Sequence, residues 1–400
     1  MTDTPRIRFN GYTDAWEQRK LGEIANKVTK KNTDLAVDET FTNSAEHGII
    51  SQKDFFDHDI VNASNIGGYY VVEPNDFVYN PRISNLAPVG PINRNKMVKN
   101  GVMSPLYTVF KPHDVDYTYL EQFFKSKVWH PFMYYNGDSG ARSDRFSIKD
   151  ELFFQMPIFL PSIKEQRKIG AYLDSLDNAI TLHQRKSDEF RELKKYMLQK
   201  MFPKPNCDRP EIRFAGFTDA WEQRKLGEIL EEFSEKSVVE DEYPVLSSTN
   251  KCMEFRDGRV SGSSNLGYKI IDNGDLVLSP QNLWLGNINI NDIGKGLVSP
   301  SYKTFKVTGV DGNFLNPQLR KPAMLNAYKE ASTQGASVVR RNLDLDLFNG
   351  ITIKAPSLEE QSKIGNYFAS LDHAITLHQR KSDEFRELKK YMLQNMFPKQ

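Results

Sequence analysis

Four hundred residues carrying Lys+Arg 53 against Asp+Glu 52, a net charge of +1, exceed what one hydrophobic core usually organises and exclude a globally basic coat. Only Cys207 and Cys252 are present, far apart and without CxxC spacing, which excludes a disulfide framework or structural zinc site and suits a reducing compartment. The polar start MTDTPRIRFNGYTD has no apolar h-region, and no run approaches the roughly 18 apolar residues of a membrane span, so a soluble cytoplasmic protein without a membrane partner is predicted.

Taken in order, the chain opens on a head, Arg6 to Ile24 (RIRFNGYTDAWEQRKLGEI), that returns as Glu211 to Ile229 with 16 of 19 positions identical. The segment that follows, 25 to 160, contains Tyr69 to Tyr79, rich in β-branched and aromatic residues around Pro-Asn-Asp; it reads as strand, turn, strand. The loop after it carries Asn80, Arg82 and Asn85, then Arg94 and Lys96, and a later glycine-flanked loop supplies Arg142 and Arg145. Arg can grip guanine and Asn or Gln adenine through paired hydrogen bonds, and glycine permits close approach to a phosphate. These residues are therefore candidates for contact with DNA, although a lone surface residue of this kind is usually just solvated.

A tail follows, Pro161 to Lys204, returning as Pro356 to Lys399 with 36 of 44 positions identical. Within it AITLHQRKSDEFRELKKYMLQ is unchanged between 179–199 and 374–394. Each tail starts with Pro-Ser-x-x-Glu, which predicts a capping box with Ser162 and Glu165, or Ser357 and Glu360, satisfying backbone donors reciprocally. About 40 residues then run to a proline with Gly170 the lone glycine, so a helix on the order of 60 Å is predicted. Its apolar seam is Ile169, Leu173, Leu176, Ile180, Phe190, Met197 and Met201, turning polar at His183 and Ser187. The second copy has Ile364, Phe368, Leu371, Ile375, Phe385, Met392 and Met396, with His378 and Ser382. Two matching seams in one chain predict an antiparallel helix pair with a domain at each end, the histidines being structural. Leu182, Leu193 and Tyr196 lie partly off the seam, leaving apolar surface for another protein or a wider contact between the helices.

The second middle, 230 to 355, has diverged far more than the ends. Its Tyr268 to Leu278 again reads as strand, turn, strand, followed by Gln281, Asn282, Trp284, Asn287 and Asn289, and later by Arg340 and Arg341. Like ends and unlike middles point to one partner met twice and two different ligands. The chain carries none of the P-loop, dinucleotide, HExxH or GxSxG motifs, and its seven histidines do not pair at ligand spacing, so no catalysis and no metal site are predicted.

The tail PSIKEQRKIGAYLDSLDNAITLHQRKSDEFRELKKYMLQKMFPK, its copy and the repeated DAWEQRKLGEI resemble the specificity subunit of bacterial type I restriction-modification enzymes over the whole chain. The resemblance implies an α+β protein: target recognition domain 1 (1–160), spacer helix 1 (161–204), target recognition domain 2 (205–355) and spacer helix 2 (356–400). The two mixed α/β domains would be separated by a long antiparallel two-helix coiled coil, the tandem repeat giving pseudo-twofold symmetry. Each domain would read half of a split, asymmetric site in double-stranded DNA. The helices would dock two modification subunits, which bring S-adenosylmethionine and methylate adenine, and two ATP-driven restriction subunits complete the enzyme. S-adenosylmethionine, ATP and Mg are thus expected on partners, with no cofactor in this chain. The rival readings are a self-contained DNA-modifying enzyme and a coiled-coil adaptor whose end domains bind proteins. Residues 25 to 160 carry 14 Lys+Arg against 16 Asp+Glu, so any DNA-facing charge must be local.

Overall fold

The repeated head owes its composition to the core it closes. In the computed structural model, which describes residues 4–55, 66–139, 144–256, 264–334 and 340–398, Trp16, Leu21 and Ile24 are all buried, as are Trp221, Leu226 and Ile229. Between them the polar strand Glu17–Lys20 pairs antiparallel with Pro157–Leu160, and Glu222–Lys225 pairs likewise with Thr352–Ala355. Each middle segment is thereby tied at its two ends.

The chain divides into two compact units, residues 1–183 with 380–400, and residues 184–379. In the first, an antiparallel sheet runs Ala25–Lys27, Thr108–Pro112, Phe77–Tyr79, Ile92–Arg94, with Phe77 opposite both Phe110 and Arg94. Phe77 and Phe110 stack at 5.6 Å and, with Tyr119, Phe124 and Phe153, form the main core. The predicted strand, turn, strand over 69–79 is present, but its arms belong to different sheets: Tyr70–Val72 pairs with Gly101–Met103 instead of Phe77–Tyr79. Asn75 takes the left-handed turn position at φ 71°, which Gly274 fills at φ 91° in the second unit.

The second unit has its own sheet in the order Leu230–Phe233, Lys303–Val307, Leu276–Leu278, Ile288–Ile290. Helix Gly312–Leu319 starts on Asp311, which accepts from Asn313 N and Phe314 N; in the first unit Asp116 caps Tyr117–Lys125 through Thr118 N and Tyr119 N. The architecture is mixed α/β.

The two predicted long helices span Ile163–Lys200 and Leu358–Asn395, each of 38 residues, and each unit contains part of both. In the first unit Ile169, Leu173 and Leu176 are buried in the main core, against which Phe385 and Met392 pack. There Ser382 Oγ donates to Ile180 O at 3.5 Å, and Lys389 Nζ donates to Asp177, so the segments run in opposite directions. In the second unit Ile364, Phe368 and Leu371 are buried beside partly buried Phe190 and Met197, and Ser187 Oγ donates to Ile375 O at 3.5 Å. Ile180 and Ile375 are half-buried. His183 rests 5.7 Å from the Phe385 ring, and His378 5.7 Å from Phe190, so both imidazoles pack as seam side chains.

The predicted capping box forms by half. Glu165 N donates to Ser162 Oγ at 3.4 Å, but the Glu165 carboxylate turns to Arg8, accepting at 2.7 and 2.9 Å. Glu360 likewise leaves its cap for Arg213, at 2.6 and 2.7 Å. A two-pronged charged pair outweighs one neutral backbone donor, and it fastens head to tail within each unit.

Candidate nucleic-acid interface

Strand Phe77–Tyr79 delivers the chain into Asn80, Pro81 and Arg82. Asn80 is buried: its amide donates to Asn43 O at 2.8 Å and its oxygen accepts from Arg82 N at 3.0 Å, so the side chain shapes the loop from within. Beyond it, Phe146 N donates to Pro81 O at 2.8 Å and Ile83 N to Asp144 O at 2.9 Å. Arg82 and Arg145 consequently stand opposite each other on an antiparallel bridge, Arg82 exposed and Arg145 half-buried. No hydrogen bond or ion pair links either guanidinium to another side chain among the described residues. Like charges facing each other across a bridge repel, so the arrangement favours an anionic ligand. Asn85 lies exposed further along the same loop. A cleft of about 340 Å³ opens beside Arg145, lined also by Tyr70, Tyr107 and the Lys27–Asp150 ion pair.

Arg94 and Lys96 are spent elsewhere. Arg94 Nε lies 3.2 Å and Lys96 Nζ 2.7 Å from the buried Glu121 carboxylate, which Lys125 also meets at 2.9 Å. Burial pushes the Glu121 carboxyl up, but Lys125 and Lys96 outweigh it and hold the group below its usual range. These cations pin strand Ile92–Arg94 to helix Tyr117–Lys125 and stay off the Arg82–Arg145 bridge. Arg142 lies outside the described residues.

In the second unit the stretch after Leu276–Leu278 forms a short turn of helix, Leu283–Leu285, with Asn282 before it. Gln281 is exposed, Asn282 and Trp284 are half-buried, and Gln281 O accepts from Arg341 N at 3.2 Å. The same two loops therefore meet here as in the first unit, with different side chains. Arg341 is committed to the 329–332 segment, donating to Ser332 Oγ at 2.8 Å, Ser332 O at 2.7 Å and Lys329 O at 3.1 Å. Arg340 is exposed. Asn289 is fully buried, its amide donating to Ser248 Oγ and Thr249 O, each at 2.7 Å.

Residue type alone could not separate cations tied to Glu121 from those left outward, because Glu121 sits on a helix that only its Asp116 cap foreshadows. Besides Ile163 and Leu358 at their starts, the long helices expose matching large apolar side chains in each unit: Leu182, Leu388 and Tyr391 in the first, Leu377, Leu193 and Tyr196 in the second. The off-seam residues are therefore uncovered.

The two mixed α/β units thus present unlike loops on similar frames. Residues 13–191 match the type I restriction modification DNA specificity domain. The MjaX type I restriction enzyme specificity subunit of Methanocaldococcus jannaschii is 24% identical over 268 residues, covering 62% of this chain and 60% of that protein. The matched region thus takes in less than two thirds of that relative. Among solved structures, the type I restriction-modification S subunit from M. genitalium superposes with a TM-score of 0.64 at 14% identity, covering 99% of this chain and 100% of that one. The HsdS subunit from Thermoanaerobacter tengcongensis aligns at a TM-score of 0.46 and 15% identity, with 99% of each chain covered. The chain is thus similar to type I restriction-modification specificity subunits: through residues 13–191 to the DNA specificity domain, and in fold over nearly its whole length.

Proposed function

We propose that this chain is the DNA-choosing subunit of a type I restriction-modification complex, each unit reading one half of a bipartite, asymmetric duplex site. The observation that carries this is the recurrent junction of two loops, with Arg82 opposite Arg145 in one unit and Gln281 against Arg341 in the other. One backbone device offers two side-chain sets, as two unlike half-sites require. Arg82, Asn85, Arg145, Gln281, Asn282, Trp284 and Arg340 remain candidates for that contact. Asn80, Arg94, Lys96 and Arg341 support the loops instead.

The long helices pair as an antiparallel coiled coil that relates the two repeats by pseudo-twofold symmetry and sets the gap between half-sites. Their repeated exposed Leu, Leu and Tyr dock two modification subunits, which supply S-adenosylmethionine and methylate adenine. Two restriction subunits add ATP- and Mg-dependent action.

The test is to co-express the chain with its modification subunit in a methylation-free host and map modified adenines in the genomic DNA. A two-part motif with a fixed unspecified gap, absent when this chain is omitted, is the expected result. A stable co-purified complex that writes no motif would favour the protein-binding adaptor.

A further inference from the structure

Helix His130–Asn136 (HPFMYYN) buries Met133 and half-buries Phe132, yet leaves Tyr134 57% and Tyr135 90% exposed. An almost naked tyrosine gives the fold nothing, whereas an amphipathic ring on a fixed stem suits an interface. The stem is fixed. A Cβ at Gly137 would meet Ser147 O at 2.5 Å and the Phe146 ring at 2.6 Å, so the chain leaves the helix pressed against segment 144–147. Asp138 N then donates to Ser147 O at 3.1 Å, and Ser147 N returns to Asp138 O at 2.6 Å. Tyr134 packs its ring edge-on against Phe146 at 6.1 Å. Phe146 is the residue whose N–H holds Pro81 O, next to Arg82.

Two phenols and two guanidiniums are therefore carried on three segments joined by backbone hydrogen bonds. We infer that Tyr134 and Tyr135 form a second contact edge of the first unit, touching the duplex beside Arg82 and Arg145 and sharpening one half-site. This rests on the DNA-reading function proposed above. Duplex DNA is the occupant because the edge is joined through Phe146 and backbone hydrogen bonds to the segments that carry Arg82 and Arg145, two cations with no carboxylate partner among the described residues, and because tyrosine serves both backbone and base-edge contacts. The corresponding helix of the second unit, Pro322–Glu330, carries no tyrosine edge: counted from its proline and its buried Met324, half-buried Leu325 and exposed Asn326 stand where Tyr134 and Tyr135 do. The two units would then differ in kind as well as in sequence.

The experiment uses the full chain in complex with its modification subunit, comparing wild type, the double variant Tyr134→Ala/Tyr135→Ala, and Tyr135→Phe. Readouts are the methylated motif and binding to duplexes altered in one half-site at a time. The double variant is expected to relax one half-site and weaken binding about 5- to 10-fold, leaving the other half-site and the melting temperature unchanged. Tyr135→Phe should keep most of the contact, since the ring carries it. An unchanged motif and affinity would overturn the inference, as would equal weakening on every duplex. Loss of the modification subunit with DNA binding intact would overturn it too and assign the edge to protein. Absence of any motif with the wild-type chain would overturn the DNA-reading function beneath it.

Discussion

Arg82 is the side chain on which half-site reading can be tested most directly. It is exposed, faces Arg145, and leaves the core untouched when truncated. Arg82→Ala is expected to cost about 1–3 kcal/mol on one half-site only, measured by binding to duplexes varied position by position. Uniform weakening on all sequences would make it a phosphate contact. Residue type flagged this loop, yet the same reasoning selected Asn80, Arg94 and Arg341, whose hydrogen bonds and ion pairs are internal. Which polar group is spent inside depends on partners distant in sequence. Lys321 went unnoticed for the same reason. It lies 3.8 Å from the centre of the Phe202 ring, and burial pushes its ammonium down to about 7. Unfolded lysine titrates near 10.4, so the unfolded chain holds more protons between about pH 7 and 10 and stability rises with pH across that window. Below it the burial penalty is fully present. Lys321→Met should therefore be the more stable form at pH 6, with an advantage that shrinks by roughly 1–3 kcal/mol by pH 9 after allowing for the ring contact. Parallel urea-unfolding curves at both pH values would exclude a titrating Lys321.

At the scale of elements, the long helices were legible because proline and serine open them, proline follows their end, and the apolar spacing holds between. What periodicity hid is why Gly170 sits inside one. A Cβ there would lie 2.8 Å from Tyr119 N and 3.1 Å from Thr118, and at Gly365 one would lie 2.9 Å from Phe314 N. The glycine lets the capped end of helix Tyr117–Lys125, or Gly312–Leu319, press onto the long helix. There Gln166 accepts from Asp116 N and Gln361 from Asp311 N, each at 2.9 Å. Gly→Ala in a helix normally gains about 1 kcal/mol, but overpacking against rigid backbone costs about 1–3 kcal/mol. Gly170→Ala is accordingly expected to lower stability, read as an earlier urea midpoint; a later one would show that the two helices separate without cost. The strands of 69–79 were legible from β-branched and aromatic content, whereas their partners were not, because pairing here joins segments some 30 residues apart.

For the whole molecule, comparing the chain with itself revealed the plan: offsets of 205 for the heads and 195 for the tails leave the second middle ten residues shorter. The contacts account for the buried part of the likeness between the ends. The heads close each core, their arginines seize the tail glutamates, and both tails line seams, so a change at either end disturbs a unit's own packing. The loops carry no such duty and are free to differ. Helix length is a separate variable on the proposed reading. Unit boundaries fall after His183 and after Gln379. Seven residues inserted at both places would add roughly 10 Å while keeping the seam in phase, since seven residues make about two turns. With duplex rise near 3.4 Å per base pair, the gap between half-sites should grow by about three base pairs while each half-site stays as it was. Motif mapping with the lengthened chain decides the matter: a gap that stays fixed would mean that the partner subunits, and not these helices, measure the DNA.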